Sequence, residues 1–187
     1  MTPWETVLPA LAGLLVVAGG AKLLRPADLT RALRAAGLPV PPGPVGDAVV
    51  RAGAALEVLI GGWALLAGGR VGMGGLVVSY AGFAGFVAVA LLRGTPLATC
   101  GCFGEPDTPP TPAHALVCAA GAVVAAVALT SPPRGLLSIA SGLGAWRGIG
   151  LGVLVTTAAY AAYLVMAAVP KVTVARRDLR GEQRCRR

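Results

Sequence analysis

Charge is scarce in this chain: of its 187 residues only 13% are Asp, Glu, Lys or Arg. A soluble domain of that length needs many more to cover its surface, so a water-exposed globule is excluded. Aromatic residues are also few, at 5%. No aromatic-basic platform for stacking nucleic-acid bases is visible, and the net charge of +8 does not point to nucleic acid as a partner. Its Lys and Arg residues gather instead at the ends of apolar runs and in the tail, as the positive-inside rule describes for membrane proteins. The four cysteines are too few and too unevenly placed for a secreted disulfide framework. There is one histidine, His114, and nothing resembles a phosphate-binding loop, a Ser-His-Asp set or a haem site.

What the chain does have is apolar sequence: 56% of it is hydrophobic and the mean hydropathy is +0.75. Long unbroken runs predict a single all-α integral membrane domain, a four-helix transmembrane bundle plus a fifth span. The first span is expected over residues 7–24. It is read as retained and not as a signal peptide, because its leading end carries Glu5 and no cation. Lys22, Arg25 and Pro26 close it. A short interfacial helix is expected over 28–36, stopped by Gly37 and the prolines that follow. Further spans are expected over 48–67 and 71–92, joined so tightly at Gly68-Gly69-Arg70 that they must form an antiparallel hairpin. Gly61, Gly62, Gly74, Gly75, Gly82 and Gly85 predict close packing of these helices in lipid.

Residues 95–112 form the substantial polar interruption, with five prolines, Glu105 and Asp107. A fourth span follows over 113–129, a linker to 145, a fifth span over 146–169, and a basic, disordered tail over 171–187. Three regions result: a four-span core at 1–130, a linker with the fifth helix at 131–170, and the tail. Five spans put the termini on opposite sides. A cytoplasmic C-terminus and an outer N-terminus give the larger inside excess of Lys and Arg. That count sets the 95–112 loop on the cytoplasmic face. Four spans plus a re-entrant segment would set it on the other.

The polar loop holds the chemistry, in Cys100-Gly101-Cys102-Phe103-Gly104. Exchange of thiols and disulfides needs one thiolate to attack and a second thiol close enough to resolve the mixed disulfide. A disulfide ring this small departs from ordinary geometry, and strained disulfides are reducible, so the pair reads as an exchange couple before it reads as a staple. Reduced bystander thiols are the bland alternative. Metal binding by Cys100, Cys102, His114 and Cys118 is a weaker one, since C-x-C is not the usual zinc spacing and Cys118 falls inside a span. No metal site is therefore expected, and His114 reads as an interfacial cap of the fourth helix.

Glu57 is the other unusual residue, because a carboxylate within a span is costly unless paired. Lys22 is its nearest plausible partner, and the two are expected to form an intramembrane polar pair. That pair either fixes helix packing or handles protons. No cofactor is expected; a quinone or other small molecule carried at Glu57 stands as an alternative. Trp4, Trp63 and Trp146 lie where aromatic anchors meet the membrane interface.

Three stretches carry a family likeness: Gly19-Gly20-Ala21-Lys22-Leu23-Leu24-Arg25-Pro26, Leu56-Glu57-Val58-Leu59-Ile60-Gly61-Gly62 and Cys100-Gly101-Cys102-Phe103-Gly104. Together they resemble the MauE family, methylamine utilisation membrane proteins related to the broader DoxX-like group, over about residues 5–130. The resemblance implies a redox-associated maturation factor for the disulfide-rich small subunit of methylamine dehydrogenase, assisting its maturation, transport or disulfide formation. It also implies a thioredoxin-like partner beside the lipid bilayer, with Cys100 and Cys102 as the redox pair and Lys22 and Glu57 as the polar pair. The protein is then either a membrane thiol–disulfide oxidoreductase or an accessory of one. A non-catalytic scaffold for a redox partner is the competing class.

Overall fold

The computed structural model describes residues 4–93, 111–142, 146, 149–150 and 152–161. The cysteine-bearing stretch 94–110 and the tail from 162 lie outside the described residues, and with them the last eight residues of the expected fifth span and all of the basic tail. The described elements are helices: α1 (Trp4–Leu24), α2 (Pro26–Ala35), α3 (Pro44–Leu66), α4 (Gly69–Leu92), α5 (Pro112–Ala128), α6 (Leu136–Gly142) and α7 (Gly152–Ala161). Three of them, α1, α3 and α4, are long and apolar enough to cross a membrane, while α5 and α7 are apolar but shorter. The protein is thus an all-helical membrane protein.

Proline sets several boundaries. It stands at the start of α2, α3 and α5, where its missing N–H costs nothing and its fixed φ suits the first turn. Pro26 also forces Arg25 out of helical conformation, to φ −133° and ψ 64°, which separates α1 from α2. The end of α2 is a Schellman motif: the Gly37 N–H donates to the Arg34 carbonyl and the Leu38 N–H to the Leu33 carbonyl. Gly37 takes φ +77° there, a conformation that favours glycine.

Helix α1 runs antiparallel to α3, and the two backbones nearly touch. A Cβ placed on Gly61 would stand 2.8 Å from the Ala12 carbonyl oxygen, and one on Gly19 2.9 Å from that of Ala54. Gly75 is similarly pressed by Ile60 on α3. By contrast Gly62, Gly74, Gly82 and Gly85 have nothing within 4 Å. The expectation that all six glycines pack helices together is corrected for these four: in the pairs 61/62 and 74/75 neighbouring positions differ by about 100° and only one faces the partner, while Gly82 and Gly85 lie together on an exposed face of α4.

Buried Leu8, Ala12 and Leu15 from α1, Ala64 from α3, Met73, Leu76 and Tyr80 from α4, and Cys118, Ala125 and Ala128 from α5 form one core. At one end, α2 crosses this core. Its Leu29 and Ala32 pack against Phe86 and Ala90 of α4. Thr30 Oγ1 donates to Asp47 Oδ1 of α3 at 2.7 Å. Replacing Thr30 by Val keeps the shape and leaves that carboxylate without its hydroxyl donor. The expected loss is about 1.5 kcal/mol, read as a lower thermal midpoint in detergent; an unchanged midpoint would show the bond to be inert.

At the opposite end, the segment after α5 folds back over the α3–α4 turn, where Gly68 pairs with Arg134 and the Gly69 N–H donates to the Pro133 carbonyl. On the flank, α7 lies against α1, with Val155 and Ala159 buried and Ala159 facing Gly13.

Candidate functional site

The pairing of Lys22 with Glu57 follows from helix direction. Cα–Cβ bonds tilt toward a helix's N-terminus. In α1 that tilt carries Lys22, one turn from the α2 end, inward along the bundle. In the antiparallel α3 it carries the deeper Glu57 outward. The two side chains therefore lean toward each other, and Lys22 Nζ donates to Glu57 Oε2 at 2.6 Å.

Lys22 is 2% exposed and Glu57 17% exposed. The ammonium also lies over the face of Phe83 from α4, 4.1 Å from the ring centroid. A desolvated cation gains from the negative face of an aromatic ring, so three helices share the neutralisation of one charge. Phe83 is held in turn by an edge-to-face contact with Tyr80, with centroids 6.2 Å apart and planes at 82°. Tyr80 Oη donates to the Leu11 carbonyl of α1 at 2.8 Å. The group is a closed electrostatic tie between α1, α3 and α4. None of its side chains is a thiol.

The second half of the site is approached from its stems. Cys100 and Cys102 fall in 94–110, outside the described residues; Arg93 at the end of α4 and Thr111 before α5 flank that stretch. Helices α4 and α5 pack antiparallel, with Tyr80 against Gly121 and Val87 beside Ala115. Both stems consequently emerge at the end that carries α2. On the α5 side, Thr111 Oγ1 and His114 Nδ1 are 2.8 Å apart, the N-cap and third helical residue bonded to each other. His114 is 3% exposed. It is a buried residue of the helix start and not the interfacial cap expected from sequence. Cys118, one turn further, is 5% exposed and belongs to the core with Tyr80.

Among the described residues no three His, Cys, Asp or Glu side chains gather as a metal site would require. Trp63 is 57% and Trp146 85% exposed, on surfaces that lipid or its interface can cover. Phe83, Tyr80 and Arg93 are the residues that sequence reasoning passed over. Phe83 and Tyr80 share a face of α4 at a spacing of three, but nothing in their spacing says that the Lys22 side chain will arrive there.

A protein-family model described as methylamine utilisation protein MauE matches residues 3–132. No curated protein and no solved structure matches the chain. The matched stretch takes in α1 to α5, both members of the Lys22–Glu57 pair and the Cys100-Gly101-Cys102 motif.

Proposed function

The chain belongs to the MauE family of methylamine utilisation proteins, and from that premise we propose that this membrane protein supports thiol–disulfide exchange through Cys100 and Cys102. The observation that carries the reading is the position of the motif: a dithiol one glycine apart, on the connection between two helices whose joined ends face the same side. Cys118 is a poor competitor, because a thiol 5% exposed in a helix core cannot be reached by a protein partner.

The exchange balances without another reagent. One thiolate of the pair attacks a sulfur of the partner's disulfide, forming a mixed disulfide and releasing one partner thiolate. The second thiol, deprotonated, attacks the bonded sulfur of the pair and releases the other partner thiolate. The partner's disulfide is reduced and the pair oxidised by two electrons; the reverse sequence oxidises a partner dithiol. A thioredoxin-like protein has the chemistry for either direction. Maturation of a methylamine dehydrogenase subunit is the family-level destination of those electrons.

The proposed frame is a four-span core of α1, α3, α4 and α5, with a fifth span that includes α7. Lys22 and Glu57 serve as its internal tie and hold the three helices around which the dithiol connection is strung. Among the described residues the end bearing α2 carries Arg25, Arg31, Arg34, Arg51 and Arg93, against Arg70 and Arg134 at the opposite end. This imbalance favours the α2 end as cytoplasmic and the N-terminus as outer. In that orientation the dithiol faces a reducing compartment and works as a relay instead of resting as a disulfide.

The test is thiol trapping in intact cells, with a membrane-impermeant maleimide to report sidedness. The pair is expected to cycle between oxidised and reduced forms, and Cys102→Ser to trap or abolish the mixed disulfide with a thioredoxin-like protein. A pair that stays reduced under all conditions, with both Cys→Ser variants behaving as wild type, would sink the proposal.

A further inference from the structure

Two cations stand level with each other in the α1–α3 pair, and the described residues neutralise only one of them. The antiparallel register that sets Gly61 against Ala12 and Gly19 against Ala54 puts Arg51 of α3 level with Lys22 of α1. Lys22 turns inward and meets Glu57 and Phe83. Arg51 is exposed, and among the described residues no carboxylate is bonded to it.

Arg51 follows Pro44, the first residue of α3, by seven positions, in a helix long and apolar enough to cross a membrane. At 1.5 Å per residue it stands about 10 Å inside the helix start. A cation on an exposed face at that depth is costly unless it reaches a counter-charge. Its Cα–Cβ bond tilts toward the N-terminus of α3, which directs a long side chain back toward the α2 end and the headgroup layer. The helix leaves room beside it. Ala48 and Ala52 are small and exposed, and a Cβ on Gly53 would meet nothing within 4 Å. Ala52, Leu59 and Leu66, spaced by seven, continue as one exposed stripe into the span, with Leu59 69% and Leu66 47% exposed.

The α2 end as a whole has a surplus of positive charge. Its described carboxylates are already engaged, Asp28 by Arg31, Asp47 by Thr30 and Glu57 by Lys22. Arg25 and Arg34 are exposed and paired with none of them. Such a surplus selects anionic over zwitterionic headgroups, because each cation near the surface adds to the attraction.

We propose that Arg51 binds the headgroup phosphate of an anionic phospholipid, with Arg25 and Arg34 supplying the field that selects it. The acyl chains of that lipid lie along the stripe from Ala52 to Leu66. The bilayer thus provides the counter-charge that the described residues do not. The site depends neither on the exchange reading nor on which face of the membrane carries α2.

The test uses the full chain in phosphatidylcholine nanodiscs doped with a phosphatidylglycerol that carries a photoactivatable diazirine in its acyl chain. Crosslinks to residues 52–66 are quantified by peptide mass spectrometry. Unlabelled phosphatidylglycerol is expected to displace them and phosphatidylcholine to leave them in place. Arg51→Gln should lower the yield on this stretch about fivefold, the factor that one cation near an anionic headgroup supports. Arg51→Lys, which keeps the charge, should stay near wild type, and so should Arg70→Gln at the opposite end. Ala48→Glu keeps Arg51 and offers it a carboxylate one turn away, so it should lower the yield as well. It decides the matter where Arg51→Gln does not fold.

Equal yields in wild type and Arg51→Gln overturn the proposal, as does displacement by phosphatidylcholine as effective as by phosphatidylglycerol. An equal fall in Arg70→Gln would reduce the effect to net charge and overturn it too. Loss of the crosslinks on adding inorganic phosphate at constant ionic strength would assign Arg51 to a soluble anion instead of a lipid.

Discussion

Replacing Glu57 by leucine should lower the unfolding free energy by about 3–5 kcal/mol, the cost of leaving one member of a buried ion pair without its partner. The variant keeps the bulk of the side chain and removes the carboxylate, so among the described residues Lys22 Nζ retains only the face of Phe83. Lys22 is the more deeply buried of the two, and among the described residues no second carboxylate is bonded to it. Glu57→Gln should cost less, because its amide oxygen can still accept from the ammonium. The decisive measurement is a double-mutant cycle with Lys22→Met, followed by thermal unfolding in detergent. Removing both charges should restore most of the loss, since neither is then stranded in an apolar setting. Strictly additive single effects would show that the 2.6 Å contact contributes nothing.

A second large effect should come from a pair of adjacent glycines. Gly61→Leu is expected to cost more than ~3 kcal/mol, because its side chain must enter a space already occupied by the Ala12 carbonyl oxygen and by Val16. Backbone atoms of α1 cannot turn aside as a long side chain can, so the α1–α3 contact has to open. A Cβ on Gly62 meets nothing within 4 Å, so Gly62→Leu should be tolerated, or should stabilise the helix slightly. Size-exclusion profiles and thermal midpoints of the two variants provide the comparison. Equal behaviour would mean that α1 and α3 do not approach as described. Helices in lipid gain little from hiding apolar surface and depend on close contact, which makes such a position sensitive.

Much of the frame was legible in the sequence because its determinants are local. Apolar runs bounded by Arg25, Pro26 and Gly68 mark α1, α3 and α4 to within a few residues. Gly37 and the following prolines mark the end of α2, and Pro112 the start of α5. The partnership of Lys22 and Glu57 was legible for a different reason: few charges lie within the spans, so few pairings are open. What escaped was whatever depends on rotation about a helix axis. Gly61 and Gly62 look alike in sequence, yet only the first touches α1. Phe83 is an ordinary apolar residue until the Lys22 side chain of α1 sets its ammonium over the ring. Arg93 reads as a membrane-edge cation, and its bond to Ala36 requires two segments distant in sequence to meet. His114 reads as polar and therefore interfacial, but Thr111 satisfies one ring nitrogen and lets the ring stay inside.

The fold-back of residues 133–135 over the α3–α4 turn has a consequence for how the protein is made. Gly135 sits so close to Leu66 that a Cβ on it would come within 2.1 Å of that carbonyl oxygen. The hairpin inserted early in synthesis thus stays unsealed until residues well past α5 have left the ribosome. The groove of α1 at Gly13 waits longer still, for Ala159 of α7. At elongation rates of roughly 5–20 residues per second, that leaves the first helix waiting for roughly 7–27 s before its last neighbour is made. During that interval the small-residue face of α1 is open to any other helix in the translocation machinery.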